Sequence, residues 1–258
     1  MKNERRAVAQ NVRQITGSRG LALYWKVFRV FYSFSEFMVS YCYVPQASHT
    51  DLLSMMAEEN DTAAKVLQHL AAGHGLIVWT AHLGNPEFAS RLLEMFGRPV
   101  NVARVVEDSA AETLLRSRMV NERLRVVDLK AGASATIELL QALRRNEIVA
   151  IQGDRVYNPR HSMAVPFFSK PAAFPLGPFL LSQVSGAPLL PAFVVRQSWL
   201  RYRVLGGDMI LPAATRAEDD QRAALEQAVG FLEKQLAVHY DQWINFFDFW
   251  QVQAHDGY

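Results

Sequence analysis

The stretch that most constrains this chain is residues 77–87, IVWTAHLGNPE, where an apolar run meets a turn and the start of a helix. The run Leu76 to Thr80 predicts a short buried strand, which leads directly to His82. Leu83 and Gly84 then predict a tight turn. The pattern therefore places a histidine at the carboxyl end of a strand, which is the edge where ligands bind in open α/β sheets.

The residues after the turn predict a helix that begins close to this histidine. Asn85 is a favourable N-cap, Pro86 suits the first helical position, and Glu87 lies in the first turn. His82 and Glu87 would not share a face of one continuous helix, but they can meet across a strand–turn–helix junction. A carboxylate on one ring nitrogen would fix the tautomer and leave the other nitrogen as a general base. The spacing alone equally allows a capped helix beside an incidental histidine.

Short apolar strands alternate with helices along the rest of the chain. This alternation predicts βαβ units and an α/β fold with a mostly parallel central sheet flanked by helices. Two late strands, at residues 189–195 and 200–205, are expected to be antiparallel, and a long helix is expected at 216–239. The other predicted strands are 100–106, 124–128 and 148–151, and the other predicted helices include 107–120 and 134–145.

Charged residues follow two of the predicted strands in the same way as His82 follows the first. Arg104 lies near the end of its strand, and Asp154 and Arg155 come directly after theirs. Because the carboxyl ends of parallel strands meet at one edge, these side chains are expected near His82. A guanidinium is well suited to bind phosphate because its donors form a rigid fork. Surface or turn positions are the alternative for each of them.

The segment 1–48 is basic, aromatic and amphipathic, and the sequence divides there from a domain at 49–258. Lys26, Arg29 and Glu36 interrupt its apolar run, so it is not predicted to span a membrane. Two alternatives fit this composition. The segment either lies as a helix in a membrane interface or packs its apolar side on the core.

Composition excludes several other classes of protein. A net charge of +2 gives no field for nucleic acid, and a single cysteine, Cys42, excludes an internal disulfide framework and fits a reducing compartment. The sequence shows no metal-ligand cluster, no signal-peptide pattern, no phosphate-binding loop and no nucleophile elbow. Covalent acyl-enzyme chemistry is not suggested, because Cys42 lies in the aromatic segment away from any adjacent histidine.

Several blocks together resemble one family of enzymes. His82, four residues and Glu87 match the HX4(D/E) motif of the lipid A biosynthesis lauroyl/myristoyl acyltransferases, within the wider glycerolipid acyltransferase group. Residues 153–155, 165–172 and 174–178 are similar to a second segment of that family, and 187–191 to a later proline-bearing strand. The Gly153-Asp154-Arg155 form and the aromatic tail at 243–250 resemble a branch from specialised lipid or aryl-polyene-type pathways.

The resemblance implies a glycerolipid-acyltransferase-like fold and an enzyme that transfers an acyl group. It implies a thioester co-substrate, acyl carrier protein or coenzyme A, with no further cofactor, and a hydroxyl or amine of a membrane lipid as acceptor. The expected location is peripheral, at the cytoplasmic face of the bacterial inner membrane. The expected roles are His82 as base, Glu87 as its orienting carboxylate, and substrate binding by Arg104, Asp154 and Arg155. Lys170 is also predicted as a substrate-binding residue, because it could reach a phosphate; the alternative is that it has no binding role.

Two questions stay open from the sequence. The apolar stretch at residues 167–181 serves either as lining for an acyl chain or as ordinary core. The whole chain is alternatively a non-catalytic lipid-binding or partner-docking protein on the same scaffold, which would not require His82.

Overall fold

A computed structural model describes residues 2–57, 61–106, 121–215 and 217–251. Its centre is a six-stranded sheet in the order β3–β2–β4–β1–β7–β8, and a separate hairpin is formed by β5 and β6. Every neighbouring pair of the sheet is parallel except β7 and β8, which are antiparallel, so the predicted α/β architecture is confirmed. The strands are β1 Leu76–Thr80, β2 Val100–Arg104, β3 Leu124–Asp128, β4 Ile148–Gln152, β5 Ser162–Phe167, β6 Lys170–Pro175, β7 Leu189–Ser198 and β8 Arg201–Gly206.

Helices cover both faces of this sheet. One face packs on α6, α7 and α8 through a core that includes Trp79 and Phe193. The other face carries Val78, Ala150 and Leu190 and packs against α4. The described helices are α1 Lys2–Thr16, α2 Gly20–Tyr43, α3 His49–Ser54, α4 Thr62–Ala71, α5 Pro86–Leu93, α6 Ala133–Arg144, α7 Gly177–Ser185 and α8 Glu218–His239.

The described elements differ from the predicted ones at several bounds and by one additional hairpin. The strand expected at 100–106 ends at Arg104, and the last helix begins at Glu218, where three acidic residues occupy its first turn. The sequence pattern does not predict the hairpin of β5 and β6, because its turn residues Phe168 and Ser169 have positive φ without being glycine or asparagine. The helix predicted at 107–120 lies outside the described residues.

The two N-terminal helices pack one side of the segment 1–48 on the core. Leu23, Val27 and Val30 of α2 are buried in a cluster with Val8 of α1 and with Tyr240. Among the helices that the structure describes, none combines the length and the apolarity needed to cross a membrane. The opposite side of α2 exposes large apolar side chains, namely Leu21, Tyr24, Trp25, Phe28, Tyr32, Met38 and Val39.

Gly84 is required by the turn that follows β1. Its φ is +74°, and a Cβ atom there would lie 1.9 Å from the carbonyl oxygen of Val194. Asn85 then donates its backbone N–H to the same carbonyl at 2.8 Å. The turn is therefore pressed against β7, with no room for a side chain.

We predict that Gly84→Ala destabilises the protein far more than Gly186→Ala. Gly186 has a similar φ of +77°, but a Cβ atom added there would meet nothing within 4 Å, so its substitution carries only the left-handed conformational cost of about 1–2 kcal/mol. The clash at Gly84 should add on the order of 2 kcal/mol or more. Urea unfolding of both variants measures the difference, and equal losses would contradict the close approach to β7.

Candidate active site

The centre of the site is an ion pair between His82 and Asp154 at the carboxyl edge of the sheet. The Nδ1 atom of His82 lies 2.7 Å from Oδ1 of Asp154, and the backbone N–H of His82 donates to Oδ2 at 3.1 Å. His82 follows β1 and Asp154 follows β4, and these two strands are parallel neighbours. The pairing assigns the proton of the neutral ring to Nδ1 and leaves Nε2 unprotonated.

Asp154 is fully buried and is surrounded by hydrogen-bond donors. The indole Nε1 of Trp243 donates to Oδ2 at 2.9 Å, and Nδ2 of Asn245 approaches the same oxygen at 3.4 Å. Burial alone would raise the pKa of Asp154, but His82, Arg155 and the Trp243 indole outweigh it and hold the pKa of this carboxyl well below its usual range. Asp154 is therefore a permanent carboxylate at neutral pH.

The segment after α8 also holds the backbone of the histidine turn. Ile244 donates its N–H to the carbonyl of His82 at 2.8 Å, and Gly84 donates to the carbonyl of Gln242 at 3.0 Å. The side chain of Asn85 caps α5 by accepting from the N–H of Phe88 at 3.0 Å, as predicted from the sequence. The turn is thus fixed from both sides, by β7 and by the C-terminal segment.

The carboxylate that contacts Nδ1 is not the one expected from the sequence. The motif predicts that Glu87 orients His82, but Asp154 occupies that position, because β4 brings it beside the end of β1. Glu87 is buried in the first turn of α5 and lines the same cavity as His82.

Two cavities meet beside His82. A small cavity of about 210 Å³ is lined by His82, Arg104 and Arg155 among others. A large apolar cavity of about 920 Å³ lies over the face of the sheet that carries Val78 and Ala150. The residues that line both are Pro86, Glu87, Arg104 and Gln152. His82 therefore lines a small cavity that adjoins a large apolar one.

The two predicted arginines lie at this site, whereas the predicted lysine does not. Arg104 ends β2 and lines both cavities. Arg155 lines the small cavity and donates to the Asn245 side chain at 3.2 Å and to the Ile244 carbonyl at 3.0 Å. Lys170 is exposed at the start of β6, and of the described residues that line the two cavities none belongs to this hairpin. The role of Lys170 in substrate binding stays a prediction.

The apolar stretch at residues 167–181 forms core on the other side of the sheet. Phe167 and Phe174 are fully buried and pack edge-to-face at 5.2 Å between ring centroids. Phe167 also contacts Trp243 and Phe249 of the aromatic tail. This stretch supports the wall behind Asp154, and the large cavity is lined from α4, α5 and the opposite face of the sheet instead.

Trp243 and Asn245 are the site residues that the sequence pattern does not identify. They lie about 90 positions after Asp154, and the density of aromatic residues around them indicates only a core cover or an interface anchor. Asn245 interrupts that aromatic run, and this is the one feature of the sequence that could have identified these site residues. Its side chain is buried, and a buried amide needs hydrogen-bond partners.

A family model named "Bacterial lipid A biosynthesis acyltransferase" matches residues 5–251. The chain belongs to this family. The match confirms the resemblance predicted from the His82 motif and the later blocks. Of the two carboxylates in the matching blocks, Glu87 lines the small cavity and Asp154 contacts His82.

Relatives and a solved structure extend the comparison. Two proteins named phosphatidylinositol mannoside acyltransferase, from Mycobacterium tuberculosis strains CDC 1551 / Oshkosh and ATCC 25618 / H37Rv, are each 27% identical over 210 residues. The match covers 78% of this chain and 62% of each relative, so this family member spans less than two thirds of their length. The crystal structure of the 1-acyl-sn-glycerophosphate acyltransferase PlsC from Thermotoga maritima aligns with a TM-score of 0.43 and 12% identity, covering 92% of this chain and 98% of that one.

The lowered pKa of Asp154 predicts how stability depends on pH. The folded state binds this proton less readily than the unfolded chain, whose Asp pKa is about 3.9. The stabilisation is therefore fully present above the unfolded pKa and is lost as pH falls through the folded pKa. We predict that the stability advantage of the wild type over Asp154→Asn shrinks as pH falls from 6 to 3.

Urea unfolding at several pH values measures this difference. Asp248→Asn is the control, because it makes the same change of charge in the segment after α8, where Asp248 accepts from the backbone N–H of Gln251. A gap between the wild type and Asp154→Asn that stays constant over this pH range would contradict the assignment of Asp154 as a stabilised carboxylate.

Proposed function

We propose that this chain transfers a fatty acyl group from an acyl thioester to a hydroxyl or amine of a lipid acceptor, with His82 as the general base. The observation that carries the proposal is the His82–Asp154 pair, 2.7 Å apart, at the junction of a polar and an apolar cavity. The names of the family and of the relatives both specify lipids, which supports a lipid acceptor.

The proposed reaction needs one base and no covalent enzyme intermediate. Nε2 of His82 takes the proton of the acceptor O–H or N–H while the acceptor atom attacks the thioester carbonyl. Asp154 holds the ring and stabilises the imidazolium that forms. The tetrahedral intermediate then collapses, the carbon–sulfur bond breaks, and the departing thiolate takes the proton back from His82. The products are an acyl ester or amide and a free thiol.

Arg104 and Arg155 supply positive charge at this site. Both line the small cavity with His82. We assign them to an anionic group of the substrates, either the phosphate of the thioester carrier or that of the lipid headgroup. Acyl carrier protein and coenzyme A both present such a phosphate. Acyl carrier protein is the proposed partner, because an acidic protein is attracted to the positive charge of the two arginines. Glu87, which lines both cavities, is assigned to positioning the substrates where the cavities meet.

The large cavity is the proposed site of the acyl chain. Thr80 and Val78 of β1 and Ala150 of β4 form part of its floor, whereas Leu76 and Ile148, which pair in register further back, do not line it. From His82 back to Val78 is four residues, or about 13 Å at ~3.3 Å per residue. Burying methylene groups in this space would supply roughly 0.8 kcal/mol each.

We call the His82–Asp154 pair the dyad, and substitution of its members tests the proposed base. His82→Ala should lower kcat/KM for transfer from a labelled acyl donor by on the order of 10²–10⁴-fold, because the base is lost. Asp154→Asn should lower it comparably, because an amide leaves the ring in the wrong tautomer. Glu87→Gln should lower it less than Asp154→Asn.

Measuring both acyl transfer and lipid binding separates an acyltransferase from a non-catalytic lipid-binding protein. Undiminished transfer by His82→Ala would remove the proposed base. If the wild type binds lipid but transfers nothing from either donor, the non-catalytic lipid-binding function replaces the enzyme.

The second prediction concerns the apolar cavity. Ala150→Leu should fill the middle of the floor and shift donor preference to shorter chains, lowering kcat/KM for long-chain donors roughly 10-fold or more while sparing short-chain donors. Ala103→Leu is the matched control, since Ala103 is an equally buried strand alanine whose core cluster lies on the other face. An equal effect of both substitutions on all chain lengths would contradict this placement of the acyl chain.

The exposed side of α2 is the proposed membrane contact. Trp25, Phe28 and Tyr32 are each more than half exposed, and Arg19 lies exposed just before the helix. Aromatic and basic side chains together suit the headgroup region of an anionic bilayer. We propose peripheral association with the cytoplasmic face of the bacterial inner membrane.

We predict that Trp25→Ala combined with Phe28→Ala lowers sedimentation with anionic vesicles several-fold, because the helix loses apolar area that enters the interface. Ile137→Ala, at an exposed apolar position on α6, is the control and should bind as the wild type does. Binding that is unchanged in the double variant would contradict a membrane contact through α2.

A further inference from the structure

A buried asparagine of the first helix is bonded to the C-terminal segment that supports the site. Asn11 of α1 is only 3% exposed. Its Nδ2 donates to the carbonyls of Phe247 at 2.8 Å and Asn245 at 3.3 Å. Its Oδ1 accepts the backbone N–H of Phe249 at 3.0 Å. One side chain thus satisfies three backbone groups in a segment more than 230 positions away.

The residues held by Asn11 are continuous with those that hold the dyad. Asn245 directs its side chain to Asp154 and accepts from Arg155, and the preceding residue, Ile244, donates to the carbonyl of His82. A shift of the segment at Asn245 would therefore move donors on both members of the dyad at once.

Contacts from α2 hold the same segment at two further residues, Asp241 and Phe246. Arg29 and Ser33 donate to the carboxylate of Asp241 at 3.1 and 3.3 Å. Phe31 and Phe34 pack against the ring of Phe246. These contacts reach the dyad through residues 241–249 rather than directly.

We propose that Asn11 is a positioning residue for the His82–Asp154 pair, acting through Asn245. The proposal rests on the proposed function for its effect on rate. In this proposal α1 supports the active site through the C-terminal segment, since Asn11 does not line either of the two cavities. Its three bonds set the position of a segment whose next contacts are the carboxylate and the histidine backbone.

The test compares Asn11→Ala with Val12→Ala. Val12 is an equally buried residue of α1 that packs with Tyr240 in the apolar cluster and makes no side-chain hydrogen bond to the segment. Asn11→Ala should lower kcat on the order of tenfold, because small displacements of catalytic groups are costly, with little change of KM. Val12→Ala should lower thermal stability without this loss of kcat.

A double-mutant cycle with Trp243→Phe measures whether the effect of Asn11→Ala on kcat passes through Asp154. A purely structural role of Asn11 would give no such coupling. Trp243 donates to the same oxygen of Asp154 as Asn245 does, so the effects of Asn11→Ala and Trp243→Phe on kcat should be non-additive. Trp250→Phe is the control for the aromatic substitution, since Trp250 donates to the carbonyl of Phe167 instead. Additive effects would overturn the link to Asp154.

Hydrogen exchange gives a second readout that needs no activity. Asn11→Ala should speed amide exchange in peptides covering 240–250 and also 80–85, whereas Val12→Ala, which removes apolar packing in the cluster with Tyr240, should leave exchange at 80–85 unchanged. Exchange that rises at 240–250 alone, with kcat unchanged, would overturn the proposal. If Asn11→Ala does not fold, Asn11→Ser takes its place in the same comparison. A wild type that transfers nothing would refute the proposed function, and the exchange data would still decide whether Asn11 positions the histidine turn.

Discussion

The structure depends on keeping one carboxylate ionised in a fully buried place. Asp154 has no solvent exposure, so its charge must be balanced by His82, by Arg155 and by the indole of Trp243. A buried charge that lost these partners would be strongly destabilising. Three distant parts of the chain, the turn after β1, the end of β4 and the segment after α8, converge at Asp154 and supply its partners.

The two faces of the sheet differ in how completely they are packed. The face that carries Trp79 and Phe193 packs against helices and the aromatic tail, and forms a dense wall behind Asp154. The face that carries Val78 and Ala150 is incompletely filled, which leaves the large apolar cavity. A rigid wall on one side fixes the dyad, and the open space on the other side is available to an apolar ligand.

Much of the frame could be predicted from the sequence, since apolar periodicity and capping residues are local signals. The strand before His82, the Asn85 cap and the antiparallel pair of β7 and β8 are examples. The partner of His82 could not be predicted in this way. Sequence spacing favours Glu87, but strand order decides the neighbour, and β4 lies beside β1. The contributions of Trp243, Asn245 and Asn11 depend on contacts between residues about 90 to 240 positions apart, which no local pattern records.

The most direct test of the central claim is the imidazole N–H signal of His82 in NMR spectra of the protein with ¹⁵N-labelled histidine. A ring with Nδ1–H donating to a buried carboxylate should give a downfield, slowly exchanging proton. We expect this signal to be absent in Asp154→Asn and present in Glu87→Gln. A signal that persists in Asp154→Asn and disappears in Glu87→Gln would contradict the pairing of His82 with Asp154.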